Sequence, residues 1–252
     1  MHLILCKNCE HTFQGNYCPN CGQKSKTERL SWNFVQDELK YVVLHFNKGL
    51  LFTAKELLTR PGDTIREFIE GKRINHYKPI LLVFVLAGIN GLLTHYLSLN
   101  EMMNSIQPEE QRINPLFDMT QYLNWFTKNY AIIELLLIPV FSLCSWLSFK
   151  KWGYNYIENV IINCFASGQR LLLGIIFFPL SYLLDKSGYI FFSLILSSLV
   201  YLATLWTYST LYRDKVIGER ILRILLFIFL LGMLFIVACI ILALILVLFI
   251  KR

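Results

Sequence analysis

The sequence predicts a mainly α fold: a polytopic α-helical membrane protein of about five transmembrane helices, preceded by a small cysteine-rich module and short amphipathic helices. Three observations lead there. The chain of 252 residues is 55% hydrophobic and only 16% charged, where a soluble domain carries about 25% charged residues. Its apolar residues gather in long runs almost free of charge, and its mean hydropathy is +0.49. Four of its seven cysteines fall within the first 21 residues. So apolar a chain has more hydrophobic surface than one small core hides, which excludes a single soluble globule. Disorder is excluded too, because it needs low hydrophobicity and high net charge.

The spans come from counting. Pro79 to Asn100 gives 22 residues without Asp, Glu, Lys or Arg, Ser187 to Tyr212 gives 26, and Ile224 to Ile250 gives 27. Each exceeds the roughly 18–20 residues that a helix needs to cross a ~30 Å hydrocarbon layer. Asn129 to Phe149 holds only Glu134, and Asn159 to Leu184 holds only Arg170. The expected spans are residues 79–98, 130–149, 157–184, 188–211 and 224–250. The first run starts too late for a cleavable signal peptide, and MHLILCKNCE lacks a basic region followed by an apolar stretch.

Charge sets the expected orientation. Residues 1–78 carry 12 Lys and Arg, and the successive loops carry 2, 2, 1 and 4. Basic residues stay in cytoplasmic loops, so the N-terminus is expected inside and, with five spans, the C-terminus outside. Lys251 and Arg252 are discordant, and a six-span or re-entrant arrangement is the alternative. The net charge of +7 follows from this topology, and no nucleic-acid partner is expected. Lys72, Arg73 and Lys78, with His76 among them, sit just inside the first span. They read as a topology anchor or as a site for anionic headgroups, at about 1 kcal/mol per charge.

The cysteines read Cys6-Lys7-Asn8-Cys9, then Cys18-Pro19-Asn20-Cys21-Gly22. Each Cys-x-x-Cys turn sets two thiolates on one side of a tight knuckle, and two facing knuckles supply four soft ligands at tetrahedral corners. That donor set suits one structural Zn²⁺ per chain in a zinc ribbon spanning residues 1–24. Gly22 suits a left-handed position after the second knuckle, where the first has Glu10. A disulfide framework needs an oxidising compartment, and a thioredoxin-type dithiol needs a βαβ unit. An iron site shares the knuckle, but the eight-residue spacer leaves no room for the usual intervening sheet. Four protein ligands leave no open position for catalysis. So small a module needs the metal's binding energy to fold. Cys144, Cys164 and Cys239 read as small apolar residues within spans.

Residues 25–78 read as a linker and three short helices. The first runs from a Ser31 cap to about Phe46, with apolar residues three and four apart, and Gly49 breaks it. Thr53-Ala54-Lys55-Glu56 has the capping-box pattern for the second, and Pro61-Gly62 ends it. Asp63 caps the third, and Gly71 stops it. These helices either lie on the cytoplasmic membrane face or pack on the bundle. With Cys6, Cys9, Cys18, Cys21, Gly22 and Gln23 as a start, the pattern continues through Gly49-Leu50, Thr53, Pro61-Gly62, Ile65 and Phe68. It closes with Gly71-Lys72-Arg73, Tyr77 and Pro79. In these residues the chain resembles a family of uncharacterised bacterial multi-span membrane proteins with an N-terminal zinc ribbon, catalogued as a domain of unknown function. The resemblance implies a bacterial cytoplasmic membrane and no particular activity.

Ionisable residues within spans are costly, by about 2.5–3.5 kcal/mol on insertion scales. Glu134 lies ~6 Å below the outer boundary and Arg170 ~10 Å, counted at 1.5 Å per residue, so the two consecutive spans bring them to similar depth. Asn159, Asn163, Ser167 and Arg170 are spaced four, four and three, one face of a helix. The third span therefore faces the bundle interior, while the all-apolar fifth faces lipid and must tilt or overhang. The stripe is a polar cavity for transport, or an interhelical ion pair with hydrogen bonds, or an interfacial segment with Arg170 snorkelling. No HExxH, Ser/His/Asp array, Walker loop or dinucleotide motif is present, and the histidines at 2, 11, 45, 76 and 95 form no metal pair. The function expected is a binding, scaffold or assembly role in the bilayer, with a protein partner engaged through the ribbon. The alternative is a small transporter or channel built around Glu134 and Arg170, and an enzyme ranks third.

Overall fold

A computed structural model of the chain describes residues 3–27, 29–41, 49–96, 125, 128–184 and 186–250. Two strands, β1 (Ile4–Leu5) and β2 (Thr12–Phe13), pair antiparallel around the cysteine module. Three short helices follow: α1 (Trp32–Tyr41), α2 (Gly49–Thr59) and α3 (Pro61–Glu70). The long helices are α4 (Pro79–Tyr96), α5 (Tyr130–Phe149), α6 (Tyr156–Tyr182), α7 (Lys186–Leu211) and α8 (Ile217–Ile250). The protein is a mainly α, polytopic membrane protein. Four helices are long and apolar enough to cross a bilayer, within Tyr130–Trp152, Tyr156–Leu180, Phe191–Leu211 and Ile217–Val237. The first expected span is shorter: its apolar stretch covers Pro79–Leu93 among the described residues. Residues 97–98 of that span, residues 99–124 of the loop expected after it and the expected end of α1 at Phe46 lie outside the described residues.

The bundle is organised around α6. Ile161, Ile162, Phe165 and Ala166 are fully buried on it, and α4, α5, α7, α2 and α3 all pack against it. It runs unbroken from a capping box at Asn155, whose side chain accepts from the Glu158 N–H while Glu158 accepts from the Asn155 N–H. The helix is continuous through Arg170. The last helix, α8, packs on α5 and α7 and keeps many of its apolar side chains exposed, Phe235 and Ile236 among them, as a lipid-facing helix does.

The structure corrects several sequence expectations. Gly49 stands at the start of α2, and its expected role as the end of α1 falls outside the described residues. Thr53 lies inside α2, fully buried, and its hydroxyl accepts from the Tyr77 N–H at 2.7 Å. The bond to a distant loop outcompetes the local cap. Pro61 starts α3, where its missing N–H costs nothing, and Asp63 sits in the first turn rather than at the cap. A Cβ on Gly62 would lie 2.3 Å from the Leu211 backbone nitrogen, so this glycine lets α3 touch α7 backbone to backbone. Gly71 does stop α3, at φ 116°, with its own N–H and that of Lys72 returning to Phe68 and Glu67 carbonyls. The last span begins at Ile217 rather than Ile224, because Glu219, Arg220 and Arg223 fit the helix. Its 34 residues extend ~51 Å, well beyond the ~30 Å layer.

The three short helices pack on the bundle. Leu57 and Ile65 are fully buried and Phe68 nearly so. Phe68 meets Phe165 of α6 edge-on at 5.1 Å. Arg66 donates to the Thr210 carbonyl at 3.2 Å, and Arg213 pairs with Asp63 at 3.0 Å. Beside them, Phe149 stacks on Tyr208 and Tyr212, with centroids at 5.2 and 4.7 Å, and joins the ends of α5 and α7.

Candidate metal centre and intramembrane polar seam

The two knuckles fold by the same rule. The Cys6 N–H donates to the His11 carbonyl and the Glu10 N–H to the Cys6 carbonyl. In the second knuckle, the Cys18 N–H donates to the Gln23 carbonyl and the Gly22 N–H to the Cys18 carbonyl. The equivalent residues Glu10 and Gly22 both take positive φ, 60° and 77°. Glu10 therefore occupies the glycine position of its knuckle, at a conformational cost.

This geometry brings all four ligating atoms within 4.8 Å of one another. Cys6 and Cys21 sulfurs lie 3.6 Å apart, as do those of Cys9 and Cys18. A tetrahedral ion bound at about 2.3 Å to sulfur needs edges of about 3.8 Å, so the cluster fits one metal ion. Among the described residues it is the one grouping of His, Cys, Asp or Glu that fits. The His11 backbone N–H, then the Asn20 side chain, hold the Cys9 thiol down to about 6. Burial pushes Cys21 up to about 12. Of these two, Cys9 is the readier thiolate, and both must be deprotonated to bind the ion. Metal affinity must therefore rise with pH.

The module is joined to the bundle. The Gln23 side chain is 4% exposed. Its Nε2 donates to the Gly71 carbonyl at 2.8 Å, and its Oε1 accepts from the Arg73 N–H at 3.2 Å. Arg29 forms a two-pronged pair with Glu158 at 2.7 and 2.8 Å and donates to the Gly153 carbonyl. Asn155 donates to the Leu30 carbonyl at 3.2 Å. Arg73 lies over the Phe34 and Phe68 rings at 5.3 and 5.6 Å and donates to the Phe68 carbonyl. Lys72 approaches Glu67 at 3.8 Å. Lys72, Arg73 and Lys78 are all half-buried.

The polar stripe divides into linked parts. Arg170 donates to Glu134 at 3.0 Å and to the Ser167 hydroxyl at 2.6 Å, and lies over Phe141. Closer to the start of α6, Ser145 donates to Asn159, Asn163 donates to Ser145, and Tyr208 donates to Asn163, all within 3.0 Å. Gln169 donates to the Leu57 carbonyl at 2.9 Å and accepts from Thr207 at 2.6 Å. These bonds connect α2, α5, α6 and α7. The bridging residues Ser145, Thr207 and Tyr208 carry no sequence signal that separates them from other span residues. Both the Asn155 cap and the Arg29–Glu158 pair escape the sequence reading; the Asn-x-x-Glu spacing is the signal that could have found the cap, and the distant Arg29 has none.

Residues 47–90 match a family model described as a protein of unknown function (DUF3667). No curated protein and no solved structure matches the chain. The matched stretch includes α2 and α3 and reaches into α4. It therefore holds Thr53, Leu57, Gly62, Ile65, Phe68 and Gly71, the residues that seat the short helices on the bundle and receive Gln23.

Proposed function

We propose that the protein is an assembly scaffold of a bacterial cytoplasmic membrane, with a cytoplasmic N-terminal module built on one structural zinc ion. The observation that carries this reading is the closed set of four cysteine sulfurs. Four thiolates satisfy a tetrahedral ion, favour Zn²⁺ over hard cations and leave no position for substrate. When bound, the metal supplies folding free energy that the module's own core, Cys6, Phe13 and Cys18, is too small to provide. The 12 Lys and Arg of residues 1–78 favour the cytoplasmic side.

The polar seam supports the same conclusion. Its amides, hydroxyls and ion pair bond to one another across helices, as interhelical glue does. Two clefts of about 410 and 320 Å³ lie elsewhere, around Trp152 and Tyr154. The module exposes Leu3, Leu5 and Tyr17, large apolar side chains of the kind that a protein partner covers.

Protein purified in mild detergent should contain about one zinc per chain, lost in Cys18→Ser. A partner held by the wild type should be lost from the Leu3→Ser/Leu5→Ser/Tyr17→Ser variant while the zinc stays. Iron with a visible thiolate band would overturn the zinc assignment. Proteoliposome flux abolished by Arg170→Ala would replace the scaffold with a transporter.

A further inference from the structure

Zinc modules on flexible tethers recruit partners without affecting the rest of their chain. Here the cysteine module is bonded into the bundle at two separate places, and the nearer one starts within the knuckle itself. The Gln23 carbonyl accepts the Cys18 N–H that closes the second knuckle, and its backbone N–H is directed at the Cys21 sulfur. Its side chain meanwhile bonds to both the Gly71 carbonyl and the Arg73 N–H. One residue thus joins two metal ligands to the turn between α3 and α4. The fit leaves no slack. A Cβ on Gly71 would sit 2.9 Å from Lys7 Cδ and 3.1 Å from Thr27 Oγ1, so the module rests directly on this glycine.

The second attachment lies further along. Lys7, between Cys6 and Cys9, donates to the Thr27 carbonyl at 3.3 Å. Two residues later Arg29 grips Glu158, whose carboxylate is 3% exposed and caps α6. Gly71, Arg73 and Glu158 are thus all hydrogen-bonded to the module or its linker. The knuckles that place Gln23 and Lys7 exist only while four sulfurs converge, and the module has almost no apolar core to keep them converged.

We propose that metal binding latches the cytoplasmic end of the bundle: the loaded module, acting through Gln23, holds the Gly71–Arg73 turn, and loss of the metal releases it. The inference rests on the metal reading above and adds that metal occupancy is transmitted to α3 and α4. Gln23 is a positioning residue, not a ligand.

Hydrogen exchange of the full-length protein in lipid nanodiscs tests this, read on peptides covering residues 71–78 and 153–158. Stripping the metal from the wild type with a chelator should speed exchange in 71–78 by about tenfold, with a smaller change in 153–158. Gln23→Ala should keep about one metal per chain yet show the fast 71–78 exchange with metal bound, and the chelator should then add little there. Unchanged 71–78 exchange after measured metal loss overturns the latch and leaves the metal site standing. Protein that purifies without metal removes the metal reading first. If Gln23→Ala itself loses the metal, the residue belongs to the binding site and the latch fails.

Discussion

His76 sits in the turn between α3 and α4, edge-on to Phe52 and Phe68 at 5.2 and 6.0 Å. Its buried Nδ1 has no hydrogen-bond partner among the described residues, and burial lowers its pKa from 6.5. The folded chain therefore holds the neutral ring, while the unfolded chain takes up a proton near pH 6.5. The contribution of this residue is fully present above that pH and is lost as pH falls through the lowered folded value. Thermal stability in detergent should fall between pH 7 and pH 5, and His76→Phe should flatten the slope without lowering the neutral value by more than about 1 kcal/mol. An unaltered slope would assign the pH dependence to other groups. At the same scale, Glu10 shows how a local rule bends. The backbone hydrogen bonds of the knuckle impose positive φ, and the side chain tolerates it.

Between elements, close backbone approach and buried charge make the strongest claims. Gly62→Ala forces a methyl group into the Leu211 backbone, and neither helix can yield without moving Arg66 off its carbonyl partner. A loss of about 3 kcal/mol is expected, measured as detergent melting, with Gly218→Ala as a control in open space. Glu134 and Arg170 join α5 to α6 with side chains only 12% and 20% exposed. Glu134→Gln or Arg170→Gln leaves a charge stranded and should cost about 3 kcal/mol. The double variant should cost less than the sum, by at least about 0.5 kcal/mol of coupling. Strict additivity would mean that the pair contributes nothing as a pair. Normal cellular behaviour in both single variants would remove the main support for a transport path.

For the molecule as a whole, topology depends on α4. Its apolar stretch, Pro79–Leu93, extends only ~22 Å as described. Yet Leu82, Val83 and Ala87 are fully buried against the bundle, so it is held by helices more than by lipid. With α4 crossing there are five spans, and the ends of the chain lie on opposite sides. A reporter active only outside the cytoplasm should give signal when fused after Ile250 and none when fused after Arg29. Silence at both would make the number of crossings even, with α4 held in the cytoplasmic half.

Much of this architecture was legible in the linear chain, for a physical reason. A span is a run of apolar residues long enough for the bilayer, and a metal knuckle is two cysteines three apart. Both are local properties, so hydropathy and spacing located α5 residue for residue and the Cys6, Cys9, Cys18, Cys21 set in full. The alignment of Asn159, Asn163, Ser167 and Arg170 on one face was readable from the helical repeat. Partner choice was not. Thr53 reads as a cap by local pattern and becomes a buried acceptor for Tyr77. Pro61-Gly62 reads as a stop and does end α2 at Thr59, but it also starts α3 and brings that helix against α7. Gln23 meets Gly71, 48 residues on, and Arg29 meets Glu158, 129 residues on. The sequence by itself determined which segments are apolar enough to enter a membrane and which side chains can share an ion. Only the tertiary structure decided which buried polar groups satisfy one another, because that depends on which helix faces are brought together once water is excluded.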